Sequence, residues 1–385
     1  MGLKLSDRQE LVSQSDIRSM TIECDRIGGI NLAQGVCDLE VPLAVRQGAH
    51  DAIENGINTY TRFDGLKPLR EAIAAKHEAS TGMAVDPEGE IITSAGTTGV
   101  FFCAVMSLLN PGDDVIVFEP YYGYHIATLR AAGAVPVFVR MDPPDWSIPK
   151  DRLLNAVTKR TRAIILNTPA NPSGKVFSRK EIEMIAELAC RHDLFVFTDE
   201  IYEDFVYDGL KHIPPVTIDG MRERTITIAG FSKIFSITGW RVGYCVCDKK
   251  WARSIGYFND LIYVCAPAPL QMGVVRGLST LGRGYYETIA RDHQIKRDRI
   301  CSSLASIGLT PYVPRGSYYV LADMGPVPGK TSREKAMYFL EKTGVASVPG
   351  KAFYHDDAGD HLCRFCFAKE DPILEQACRM IEGFR

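Results

Sequence analysis

Between about residues 90 and 250, short apolar runs alternate with longer stretches of helical period. Ile91–Thr93, Val115–Phe118, Ala163–Leu166, Leu194–Thr198, Thr225–Ile228 and Val242–Val246 are nearly continuous in apolar and β-branched residues, as strands buried on both faces are. Thr98–Leu109 and Arg179–Arg191 instead repeat their apolar positions at helical spacing. Strand–helix alternation predicts a mostly parallel sheet sandwiched by helices. From about residue 281 the rhythm changes: Leu281–Ile300 reads as a charged amphipathic helix, Ser332–Thr343 as another helix and Leu362–Phe367 as extended chain. The pattern therefore predicts an α/β protein: a large domain over 45–280, a smaller α+β domain over 281–385, and an N-terminal arm, 1–44, packing with the small domain.

The 385 residues, 46% hydrophobic and 24% charged, are ample for a large core. A net charge of −3 gives neither the basic stripe that nucleic acid needs nor an acidic tail for a charged partner. Asp7, Arg8, Glu10, Asp16 and Arg18 interrupt any signal-peptide run, and no apolar stretch is long enough to span a membrane. Eleven cysteines at irregular spacings read as reduced thiols, and a cytoplasmic location is expected.

The densest chemical signal is Gly230-Phe231-Ser232-Lys233-Ile234-Phe235-Ser236-Ile237-Thr238-Gly239-Trp240-Arg241-Val242-Gly243. Lys233 follows a buried strand, at the strand end where α/β sheets place their chemistry. Desolvation there would favour the neutral, nucleophilic amine, and Arg241 suits a phosphate. Taken alone, a lysine after a strand is also an ordinary solvated lysine.

The pattern from Ser232-Lys233 through Gly243 resembles the signature of class I/II aminotransferases, enzymes of fold type I that depend on pyridoxal 5′-phosphate. The resemblance runs from about Asn31 to Ala368, with further motifs in the expected order. It implies a Schiff base between Lys233 and the cofactor, flanked by Ser232 and Arg241. Asp199, in Thr198-Asp199-Glu200-Ile201-Tyr202, would keep the pyridine nitrogen protonated, and Tyr202 would bond the ring's phenolic oxygen. Asp199 on its own could equally cap a helix. Asn171, in a turn rich in proline, would donate to the same phenolic oxygen, with Asn167 supporting the loop. Gly96, Thr97 and Thr98, at a strand-to-helix junction, would hold the phosphate on the helix N-terminus. Tyr122 would stack on the ring, although Gly123, Tyr124 and His125 depart from the common continuation. Tyr60 would reach the phosphate of a neighbouring subunit, implying a homodimer. Gly35 and Arg364 would hold the substrate carboxylate.

The implied reaction is transfer of an amino group from an L-amino acid to a 2-oxo acid by a ping-pong mechanism. A lyase or cyclase on the same scaffold, such as a C–S β-lyase, is the alternative, because fold does not fix reaction. The helix segment Phe101–Leu109 carries no cation, which argues against aspartate or glutamate as main donor. Tyr60, Tyr122, Tyr124, Tyr263 and Phe353 would suit an apolar or aromatic pocket.

Other signals fail on geometry. Cys363 and Cys366 sit at opposite parity in one strand and cannot share a metal, so no metal site is expected. Gly325-Pro326-Val327-Pro328-Gly329-Lys330-Thr331 is one residue short of a P-loop, and its prolines remove the amides a phosphate needs. No G-x-G-x-x-G occurs, so a dinucleotide site lacks support.

Overall fold

The structure, a computed structural model, describes residues 3–11 and 15–384; of the N-terminal arm, residues 1–2 and 12–14 lie outside that set. Seven strands form the central sheet: β1 (Ile91–Ala95), β2 (Asp114–Glu119), β3 (Val135–Arg140), β4 (Thr161–Asn167), β5 (Phe195–Asp199), β6 (Thr225–Gly230) and β7 (Val242–Val246). Their spatial order is β1-β7-β6-β5-β4-β2-β3. All pairs are parallel except those of β7, which runs antiparallel to both β1 and β6. Hydrophobic pattern carries no strand direction, so this reversal was not legible beforehand.

β3 is an addition to the expected strands. It contains Pro136 and lies partly exposed at the sheet edge, where a residue without an amide hydrogen is tolerated. A proline and a half-polar pattern are what hid it from the sequence reading.

The sheet separates two apolar clusters. Val115, Val117, Ala163, Ile165, Phe195 and Phe197 face one side, with Phe101 and Ile255. Ile116, Phe118, Ile164, Leu166 and Val196 face the other, in a core that continues to Phe339 and Phe365. This alternation fixes what happens at the strand ends: Asn167 and Asp199 have the parity of the first cluster and so come out on the side of the helix Gly96–Leu108.

The second sheet is antiparallel, in the order β10-β11-β9-β8, built from β8 (Thr310–Tyr312), β9 (Tyr319–Asp323), β10 (Val348–Pro349) and β11 (Leu362–Cys366). The helix Arg283–Ser306 packs on the helix Asp371–Glu382 and against β8. The arm joins this side: Ile30–Asn31 pairs in parallel with Val345–Ala346. Two helices expected from periodicity carry full N-terminal capping boxes, Ser178 with Glu181 and Thr331 with Glu334, which satisfy backbone donors that would otherwise be orphaned.

Candidate active site

The carboxyl ends of the central strands open on a cavity of about 590 Å³. β1 leads directly into the helix Gly96–Leu108, so Thr97 and Thr98 line the cavity on the helix's first turn. Gly96 does not line it. Its φ of +79° is open to glycine, and a Cβ there would collide with the Arg241 guanidinium, so this glycine makes room for the arginine from behind. Arg241 itself lines the cavity and donates to the carbonyls of Thr238 (3.1 Å) and Ala95 (3.2 Å).

Asp199 ends β5. Its Oδ2 lies 3.0 Å from His125 Nε2, and its Oδ1 accepts from the amide of Ile201 at 3.3 Å. The chain beyond it turns without forming a helix, so the helix-cap reading of Asp199 does not hold. Asn167 Nδ2 donates to the Asp199 carbonyl (2.9 Å) and its Oδ1 accepts from the Asn171 amide (2.7 Å). Asn167 thereby fixes the Pro169–Pro172 turn, and it also lines the cavity. The Tyr202 and Tyr319 hydroxyls are 3.0 Å apart.

Lys233 Nζ donates to the Gly35 carbonyl at 3.3 Å and lies 5.8 Å from the Tyr318 ring centre; no carboxylate pairs with it among the described residues. Burial, reinforced by Arg241 and Arg364, pushes its amine from the ordinary 10.5 down to about 8. Burial drives the phenols of Tyr202 and Tyr318 up, and that of Tyr319 up to about 12, so all three stay protonated donors. Gly35 approaches so closely that a Cβ would collide with the Tyr319 hydroxyl.

Arg364, on β11, is 1% exposed. Its guanidinium donates to Asn171 Oδ1 (2.8 Å) and the Ala33 carbonyl (2.7 Å) and lies 4.2 Å from the Tyr319 ring centre. Its Nε has no partner, and no acid pairs with it among the described residues. A buried guanidinium held only by neutral oxygens is poised for an anion, because an uncompensated charge there is costly.

Ser232 and Tyr122 also line the cavity. Tyr60 does not: it is 83% exposed. The sequence reading missed His125, Tyr318 and Tyr319 as part of the site. It also missed buried Glu200, which accepts from Thr198 Oγ1 and pairs with His212 Nε2, each at 2.6 Å. No local motif marks these; a histidine or tyrosine is identified only by what the fold sets beside it.

The model of the family "Aminotransferase class I and II" matches residues 27–381. The chain belongs to this family. It is 36% identical to a protein named "Probable N-succinyldiaminopimelate aminotransferase DapC" from Mycobacterium tuberculosis, over 94% of each chain. It is 32% identical to the kynurenine–oxoglutarate transaminase of Dictyostelium discoideum, over 91% of this chain and 90% of that one. The solved N-succinyldiaminopimelate aminotransferase of Mycobacterium tuberculosis superposes with a TM-score of 0.95 at 35% identity, covering 98% of this chain and 99% of its own. This aminotransferase therefore has the fold type I architecture. Relatives named as aminotransferases do not favour the lyase alternative.

Proposed function

We propose that this aminotransferase uses pyridoxal 5′-phosphate, held in the cavity through Lys233, and moves an amino group from an L-amino acid to a 2-oxo acid in two ping-pong half-reactions. The donor set fits that cofactor. A half-buried amine, a carboxylate in the same cavity, a helix N-terminus with an arginine and a flat aromatic match an aldehyde, a ring nitrogen, a phosphate and a ring face. When bound, the cofactor supplies an electron sink for negative charge at the substrate Cα.

The protein's own part follows from its geometry. Arg364 and the backbone at Gly35 bind the substrate α-carboxylate, which orients the Cα–H bond toward Lys233. Lys233 takes the Cα proton as general base and returns it as general acid, work suited to an amine near 8. Asp199, anchored by His125, holds a proton on the ring nitrogen. Tyr202 and Asn171 donate to the phenolic oxygen. Thr97, Thr98 and the helix dipole bind the phosphate with Arg241 and Ser232. Tyr60, exposed on the surface, serves the site of a second copy in a homodimer, and the enzyme works in the cytoplasm. Packing supports a division into an arm, 1–44, a large domain, 45–280, and a small domain, 281–385. No helix among the described residues is long and apolar enough to cross a membrane.

The observation that carries this reading is the half-buried Lys233 amine sharing one cavity with Asp199 and with Arg364, which has no acidic partner among the described residues. Lys233→Ala tests it. The wild type should absorb visible light with added cofactor, lose that absorbance on adding a donor and accumulate pyridoxamine phosphate; the variant should do none of these. Turnover retained by the variant would refute the assignment.

A further inference from the structure

Among the described residues the cavity is lined by four cationic side chains, Arg18, Lys233, Arg241 and Arg364, against a single carboxylate, Asp199. On the reading above, Lys233 works as a neutral amine, Arg241 faces a phosphate and Arg364 takes the α-carboxylate. Arg18 is left without an assigned partner. It stands on the first turn of the helix Asp16–Ile27, and its guanidinium makes no hydrogen bond or ion pair with another described residue. Asp16, the nearest acid in the chain, is directed to Arg333 at 3.8 Å, and residues two apart on a helix do not face each other.

A second cavity, of about 410 Å³, adjoins the first. Ser15, Ile17, Arg18, Tyr122 and Tyr124 line both, so Arg18 sits where the two meet. Space for a substrate side chain therefore continues past Tyr122, with the exposed cations Arg18 and Arg130 and the Asp16 carboxylate on its walls. The helix segment Phe101–Leu109, where the sequence offered no such cation, is not their source; the arm brings one from more than 80 residues earlier in the chain.

We propose that Arg18 is a specificity-determining residue that binds the distal carboxylate of a dicarboxylic amino acid or 2-oxo acid. The inference rests on the functional reading above, because it needs Arg364 to hold the α-carboxylate. The electrostatic argument is one of matching. A dicarboxylate brings one anion for Arg364 and one for Arg18, whereas a neutral side chain leaves Arg18 to solvent. A guanidinium also suits a carboxylate better than an ammonium does, since it can present two parallel donors.

The test is binding of glutarate against its monoamide, glutaramate, to the holoenzyme by isothermal titration. The two ligands have the same length and differ only in the distal charge. The wild type should prefer glutarate, and Arg18→Gln should cut that preference by about tenfold, with Arg18→Lys keeping part of it. The Lys233-dependent visible absorbance should persist in every variant, which shows that the cavity is intact. A wild type that does not distinguish the ligands, or an Arg18→Gln protein that distinguishes them as well as the wild type, would overturn the proposal. So would a preference abolished by Arg130→Gln, in the second cavity, and kept by Arg18→Gln. Failure of the cofactor reading looks different: there the absorbance is missing, or survives in Lys233→Ala, whatever the two ligands do.

Discussion

Thr97, Asn167, Asp199 and Lys233 all stand at, or within a few residues of, the ends of strands in the seven-stranded sheet. Arg18, Gly35, Tyr319 and Arg364 come instead from the arm and from the antiparallel sheet. The first group forms a floor whose positions are set by largely buried strands of one sheet. The second forms a wall whose positions depend on how separate segments dock. A floor of this kind gives every substrate the same chemistry, because strand pairing holds its groups in fixed register. A wall made of docked segments can change its reading of the substrate without disturbing that chemistry. Floor variants should therefore lower kcat for all donors and alter the cofactor spectrum. Wall variants should act on kcat/KM and on the choice of donor.

The largest effect should come from the floor. Asp199→Ala removes the carboxylate that faces the ring nitrogen, and kcat should fall by about 10²- to 10³-fold for every donor, with an altered visible spectrum. Donor-selective loss in steady-state kinetics would break the distinction. Next, Arg364→Gln removes the buried charge and leaves only a shorter amide donor; kcat/KM should drop about a hundredfold, or about 3 kcal/mol, with the spectrum unchanged. A spectral change as large as that of Asp199→Ala would place Arg364 in the floor.

A third effect is graded by pH. Only the neutral amine attacks an aldehyde, and Lys233 titrates near 8. Capture of pyridoxal phosphate by the cofactor-free protein, followed in a stopped-flow spectrometer, should accelerate about tenfold per pH unit below that value and level off above it. The linked stability has the same sign. The folded value lies below the ordinary 10.5, so stability from this group is full above 10.5 and is lost as pH falls to about 8. A capture rate still climbing near pH 10 would show Lys233 to be solvated.

The smallest effect lies beneath the floor. Glu200 is buried and held by Thr198 and His212, and His212 Nδ1 has no partner among the described residues. His212→Gln should cost about 1–3 kcal/mol in urea unfolding, because it weakens a buried pairing, while kcat changes only a few-fold. A loss of kcat as great as that of Asp199→Ala would make His212 part of the chemistry.

Much of this was legible in the chain. The strand ends carry their signals locally: apolar runs stop at Ala95, Asn167, Asp199 and Gly230, and small or turn-forming residues follow. β7 matched its expected limits, Val242–Val246, but its direction did not show, since side-chain pattern is the same read either way. β3 escaped because an edge strand tolerates Pro136 and half-polar positions. At Gly96 the motif did not show that a Cβ would collide with the Arg241 guanidinium, a neighbour supplied by the fold. His125 stood only as a departure from a pattern until the fold set it 3.0 Å from Asp199.

The sequence by itself determined the α/β layering, the strand ends that carry chemistry and the lysine at the centre, because each depends on residues within a few positions of one another. Tertiary structure alone decided that Arg18 would share a cavity with Arg364, that Tyr319 would meet Tyr202 and that His125 would anchor Asp199. Those neighbours lie from 74 to 346 residues apart, and chain entropy leaves such pairs unspecified until burial of the core brings their elements together.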